Sequence, residues 1–201
     1  QQAKTNIMKL KKAEILKYKS FTEKQEFEVN DDITILVGMN ESGKTSALEV
    51  IAKTNYFQED ENFKFSVTHD YPRREKKKMD KSGIEPEAIA CTYEIESDLI
   101  SEIENEFGES SLLSTEFKVI TKYKNTNNWS GVKIDRQKFV EFKTKELEIS
   151  SKDLNDKLVK VNTETELKAL IAEYSEEKYK TGLTTLEKYY KNSWNWENDP
   201  I

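Results

Sequence analysis

The sequence predicts an α/β fold, and three observations carry that expectation. Ile33-Thr34-Ile35-Leu36-Val37 is a short, β-branched apolar run of the kind buried inside a sheet. Glycine ends the run at Gly38, and past a short loop Ala47, Leu48, Val50, Ile51 and Ala52 fall at helical spacing. Beyond Asp135 the pattern turns mainly helical, so a helical part follows the α/β part.

In chain order, two strand-like runs come first, at 10–18 and 25–29, with the polar Thr22, Glu23 and Lys24 between them as in a hairpin. Asn30, Asp31 and Asp32 form a turn into the run 33–37, which reads as the central strand. Residues 55–85 lack periodicity and hold Pro72, Gly83 and a charge run, which reads as an exposed, mobile loop. Strands are expected at 88–95 and 117–123, with a short amphipathic helix at 98–107 between them. The sheet is therefore expected to be mixed, with an antiparallel layer. In the helical part, Thr163 and Glu166 have capping-box spacing before Leu167, Leu170, Ile171 and Tyr174, and Gly182 reads as the break before a last helix. The expected organisation is a tag or disordered lead-in at 1–7, a first lobe at 8–135 and a helical extension at 136–201.

Composition narrows the chemistry. The 201 residues carry 32 Lys and Arg against 38 Asp and Glu, a formal net charge of -6, so any nucleic-acid contact has to be local. Hydrophobic and charged residues each make up 35%, a polar balance that points to a piece of something larger. One cysteine, Cys91, excludes an internal disulfide and a Cys-based zinc site, and its strand context reads as an inert buried thiol. One histidine, His69, leaves no clustered zinc ligands and no Ser-His-Asp triad except one built on it. No apolar run is long enough to cross a membrane and no signal core opens the chain, so the expected compartment is the cytoplasm.

The motif that carries chemistry is Gly38-Met39-Asn40-Glu41-Ser42-Gly43-Lys44-Thr45, which fits G-x-x-x-x-G-K-[ST] between the expected strand and helix. Glycines let successive amide groups face one anion, and the positive end of the helix dipole adds to the field there. Polyphosphate is the ligand such a loop selects. Lys44 is expected to reach the β- and γ-phosphates and Thr45 to offer its hydroxyl to Mg2+, with Gly38, Asn40, Glu41, Ser42, Gly43 and Ser46 lining the loop. ATP with magnesium is the expected cofactor.

With Tyr18-Lys19-Ser20-Phe21 upstream, this G-x-N-x-S-G-K-T loop resembles the amino-terminal lobe of SMC/RecF-type ATPases, a branch of the ABC-ATPase superfamily. Asn40-Glu41-Ser42 and Asp70-Tyr71-Pro72-Arg73 are most similar to the overcoming-lysogenization-defect (OLD) family and related bacterial defence ATPases. The resemblance covers roughly residues 8–124 and implies a P-loop NTPase lobe with an antiparallel β-layer, ATP binding, a second ATPase head as partner and an activity directed at DNA. Such families also use a signature motif and a Walker B strand ending in Asp-Glu. Neither occurs here, since no four-residue apolar run is followed by Asp-Glu, and the OLD nuclease half has no counterpart. A nucleotide-sensing or scaffold module without turnover is therefore the alternative.

Other residues stand with two readings each. Asp70 is either a group near the γ-phosphate, a candidate for catalysis, or a turn residue before Tyr71-Pro72. His69 beside it is either a solvated side chain, the reading preferred for a lone histidine on a polar loop, or a catalytic base, and Gln58 reads as a candidate Q-loop glutamine. Arg73, Arg74, Lys76, Lys77 and Lys78 either contact nucleic-acid phosphates or form a solvated loop. Tyr189, Tyr190, Trp194 and Trp196 make an aromatic tail that docks on the chain's own core or on further protein.

Overall fold

The structure, a computed structural model, describes residues 8–55, 60, 63–149 and 151–193. The chain divides into two compact units, Gln1–Leu99 with Ser114–Val132, and Ile100–Leu113 with Lys133–Ile201. The second unit takes in residues 100–113, which a boundary at 135 assigns to the first lobe.

The first unit is built on strands β1 (Met8–Ile15), β2 (Gln25–Glu28), β3 (Glu87–Ile95), β4 (Glu116–Lys122) and β5 (Asn127–Ser130), with helices α1 (Lys44–Asn55) and α2 (Lys76–Ser82). The strands form one sheet in the order β2-β1-β3-β4-β5, antiparallel at every step. Alternation sets its faces: along β4, Phe117, Val119 and Thr121 are buried while the residues between them are not. In register on that face, Ala13 lies opposite Cys91 and Cys91 opposite Val119. The buried core gathers Ala13, Ile15, Tyr18, Ile89 and Cys91 from the sheet side with Ala47 and Val50 of α1, closed by Phe65, Tyr71 and Tyr123. On the other face Glu14 is buried and ion-paired to Lys24, the residue before β2, and to Lys118 of β4, two strands away. Those lysines hold its carboxyl below the usual carboxylate range, Lys118 contributing most.

The α/β class and the hairpin hold, and the sheet corrects two expectations. Residues 33–37 are not a central strand: among the described residues they pair with no strand, and the sheet is antiparallel rather than mixed. Their alternation is nevertheless that of a strand. Leu36 packs against the core, while Ile33, Ile35 and Val37 are 72%, 76% and 86% exposed. A short apolar run reports the capacity to sit in a sheet, and the strand itself requires a hydrogen-bonded neighbour. Within the stretch 55–85, the described residues 72–83 are likewise not a bare loop. Pro72 O accepts from Glu75 N at 3.0 Å, α2 follows, and Gly83 ends it with φ 65°. β5 goes unread in the sequence because its four residues, Asn127 to Ser130, are all exposed and carry no apolar alternation.

The second unit is helical, with α3 (Ser97–Phe107, of which residues 100–107 lie in this unit), α4 (Arg136–Glu146), α5 (Lys152–Leu158), α6 (Glu164–Glu173) and α7 (Glu177–Ser193). Side-chain caps start them: Asp135 accepts from Lys138 N, Ser151 from Leu154 N, and Thr163 with Glu166 forms the complete capping box. Its core is Phe139, Val140, Ile149, Leu154, Leu158, Leu167, Leu170, Leu183 and Leu186. Gly182 does not separate helices but lies inside α7, where a Cβ would come 2.7 Å from Ile149 Cγ1 and 3.1 Å from Leu147 O. It is glycine because the chain passes there, and the break falls instead at residues 174–176.

Candidate functional site

The glycine loop connects the extended segment 33–37 to the first residue of α1, Lys44. Its shape depends on both glycines. A Cβ at Gly38 would lie 2.7 Å from Ser42 Oγ, because the loop closes on itself. Gly43 has φ +94°, and a Cβ there would lie 2.8 Å from the Phe21 ring. Glu41 also takes a left-handed φ of 65°, with its carboxylate on an exposed residue. Between these points Lys44 spans the loop, Nζ donating to Gly38 O at 2.8 Å and Met39 O at 2.7 Å, with Ser42 Oγ at 3.4 Å. The ammonium group thus sits among loop carbonyls at the amino end of a helix whose first turn has no acidic residue. Thr45 is exposed and Ser46 half-buried on the same first turn.

An aromatic turn braces this arrangement. Tyr18 and Phe21 exchange backbone hydrogen bonds of 3.2 and 2.8 Å, with Lys19 at φ 47° between them. Tyr18 is fully buried, Phe21 lies under Gly43, and Lys19 forms an ion pair with Glu49 of α1. The steric role of Phe21 escapes a reading of motifs alone. The signal is the aromatic pair flanking Lys19-Ser20, which matters only once the turn meets the loop.

Asp70 belongs to a buried cluster. Its Oδ2 accepts from Lys53 Nζ and from Ser66 N, both at 2.9 Å, and the two ion-paired side chains are 7% and 5% exposed. The Asp70 carbonyl accepts from Lys19 N at 2.6 Å, tying this turn to the aromatic one. Geometry thus accounts for Asp70 as a structural group between α1, the turn at 66–70 and the Tyr18–Phe21 turn. The Tyr18 and Tyr123 hydroxyls, both desolvated and facing the Asp70 charge, are pushed above the ordinary tyrosine range. His69 is exposed.

The basic run divides. Arg73 and Arg74 are exposed residues preceding α2, whereas Lys76, Lys77 and Lys78 are its first residues. Tyr189 packs within its own unit, its ring 6.0 Å from that of Phe139 and its hydroxyl donating to Glu106 at 3.1 Å. Gln58, Trp194 and Trp196 lie outside the described residues, as does the side chain of Tyr190. Among the described residues no group of three or more His, Cys, Asp or Glu side chains could hold a metal ion, and no helix is long and apolar enough to cross a membrane.

The donor set fits a polyphosphate: glycine-shaped loop, lysine across it, helix start, and a hydroxyl at Thr45 as the next residue. Comparison with known proteins agrees in kind. The family described as AAA ATPase domain matches residues 8–199, and no curated protein matches. That match covers the glycine loop together with both units and brings nucleotide binding with it. The chain belongs to the AAA ATPase domain family.

Proposed function

We propose that residues 38–46 hold the phosphates of Mg-ATP, and that the chain is the nucleotide-binding lobe of an SMC/RecF/OLD-type ATPase acting on DNA in defence or repair in the cytoplasm. The observation that carries the proposal is Lys44, whose Nζ bridges Gly38 O and Met39 O at the start of α1. Polyphosphate oxygens outcompete neutral carbonyls for an ammonium group because the bond becomes charge-assisted at both ends. Loop amides and the α1 amino end supply the remaining donors. Magnesium would neutralise the β/γ-oxygens, with the Thr45 hydroxyl as its protein ligand; magnesium keeps several waters and needs few protein groups. The upstream turn at Tyr18–Phe21 and the Asn40-Glu41-Ser42 loop support the SMC/RecF/OLD assignment, and with it a second ATPase head across the nucleotide.

A second reading, a nucleotide sensor without turnover, is favoured by one observation: no apolar run in the chain is followed by Asp-Glu, the usual source of water orientation in this superfamily. Both readings predict the same binding step. Titration with a fluorescent ATP analogue tests it, with tripolyphosphate and adenosine as competitors. Tripolyphosphate is expected to displace the analogue and adenosine to do so poorly. Thr45→Ala is expected to weaken affinity only when magnesium is present. Displacement by adenosine alone, or equal losses for Thr45→Ala with and without magnesium, would place the ligand elsewhere.

A further inference from the structure

We propose that a second, cationic cleft in the first unit binds the phosphodiester backbone of a nucleic-acid strand. The proposal rests on the DNA-directed part of the reading above and not on the glycine loop. The cleft measures about 640 Å³ and is lined by Lys19, Ser20, Thr22, His69, Arg73 and Arg74. Its remaining lining residues are Tyr71 and Pro72, both buried, so the lining holds no carboxylate in a chain whose formal net charge is -6.

Three features make it a place for phosphate. Arg73 and Arg74 are exposed, and among the described residues neither forms an ion pair; Glu75, their sequence neighbour, is engaged with Lys17 at 2.7 Å. Lys19 is directed by its pairing with Glu49, leaving the two guanidinium groups as the unneutralised charge. Guanidinium forks and the hydroxyls of Ser20 and Thr22 are donors that match phosphate oxygens. The frame is also held in place. Lys19 N binds Asp70 O at 2.6 Å, and the ring of Tyr71 lies 5.4 Å from that of Tyr123, so the arginines leave an anchored segment. Preorganised donors bind with less ordering cost than donors on a loose loop.

The same geometry removes part of the basic run from the site. Lys78 lines a different groove together with Glu23, Glu75 and Glu85, where acids offset it. Lys76 and Lys77 do not line the cationic cleft.

The experiment is anisotropy of a labelled single-stranded DNA oligonucleotide titrated with the chain, without nucleotide, across ~50 to ~200 mM salt. Binding is expected to fall with salt. Arg73→Gln with Arg74→Gln should lower affinity roughly tenfold at the low-salt end and flatten the log-log salt slope by about 1.4, two phosphate contacts at about 0.7 each. Arg73→Lys with Arg74→Lys should keep most of the slope, and Lys76→Gln, Lys77→Gln and Lys78→Gln together should change it little. The titration contains no nucleotide and the variants leave residues 38–46 unchanged, so failure here leaves the glycine-loop reading untouched. Three results would overturn the proposal: no salt-dependent binding by the wild type, an equal loss in the 76–78 variant, or polyglutamate competing as well as unlabelled DNA.

Discussion

Asp70 shows how a single side chain acquires its duty from parts of the chain far from it in sequence. Locally, an aspartate before Tyr-Pro reads as a turn residue or as a polar group beside phosphate. In the fold it meets Lys53, seventeen residues away, at 2.9 Å and almost fully buried. Removing one partner of a buried pair leaves the other charge stranded, which costs about 3 kcal/mol. Asp70→Ala is therefore expected to lower the unfolding free energy obtained from denaturant titration by that amount, and replacing Lys53 with Met in the same chain to recover much of it. A stable Asp70→Ala chain that has lost nucleotide affinity would instead put the carboxylate at phosphate. Gly43 teaches a similar lesson. Its motif position was legible, but the Phe21 ring 2.8 Å from a would-be Cβ was not, since the two meet only through the fold.

Among the secondary elements, those specified by neighbours in sequence were legible. The hairpin of β1 and β2, the alternation of β4 and the Thr163–Glu166 capping box each follow from local pattern, and each is present. Elements that depend on a distant partner were not: Gly182 sits inside α7 because Ile149 approaches it, and residues 33–37 have strand character without a strand neighbour among the described residues. Their two faces are expected to behave differently. Ile35→Thr, on the exposed face, should change stability by no more than about 0.5 kcal/mol and reduce concentration-dependent association, because an exposed apolar edge templates pairing and the hydroxyl makes it polar. Leu36→Ala, on the face packed against the core, should cost roughly 1–2 kcal/mol. Thermal melts and sedimentation at several concentrations check both, and equal destabilisation by the two changes would contradict the alternation.

At the scale of the whole molecule, a net charge of -6 coexists with two electropositive features, the glycine loop at α1 and the cleft around Arg73 and Arg74. Composition could report only the total, whereas the grouping of these cations is a property of the folded first unit. That a helical stretch follows the strands was legible in the sequence. That residues 100–113 join the helical unit was not, since they are linked to it through the fold: Asp135 N donates to Ser111 O at 2.6 Å, and Leu113 N to Lys133 O at 2.8 Å. The loop at 38–46, as a phosphate cradle, is the feature on which the proposed function of the molecule depends. Calorimetric titration of Mg-ATP into the wild-type chain and into Lys44→Ala tests it most directly, because among the described residues the Lys44 side chain bonds only to atoms of its own loop and belongs to neither core. Saturable binding by the wild type, lost in a variant with an unchanged melting temperature, is the result predicted; equal affinity in the two chains would contradict it.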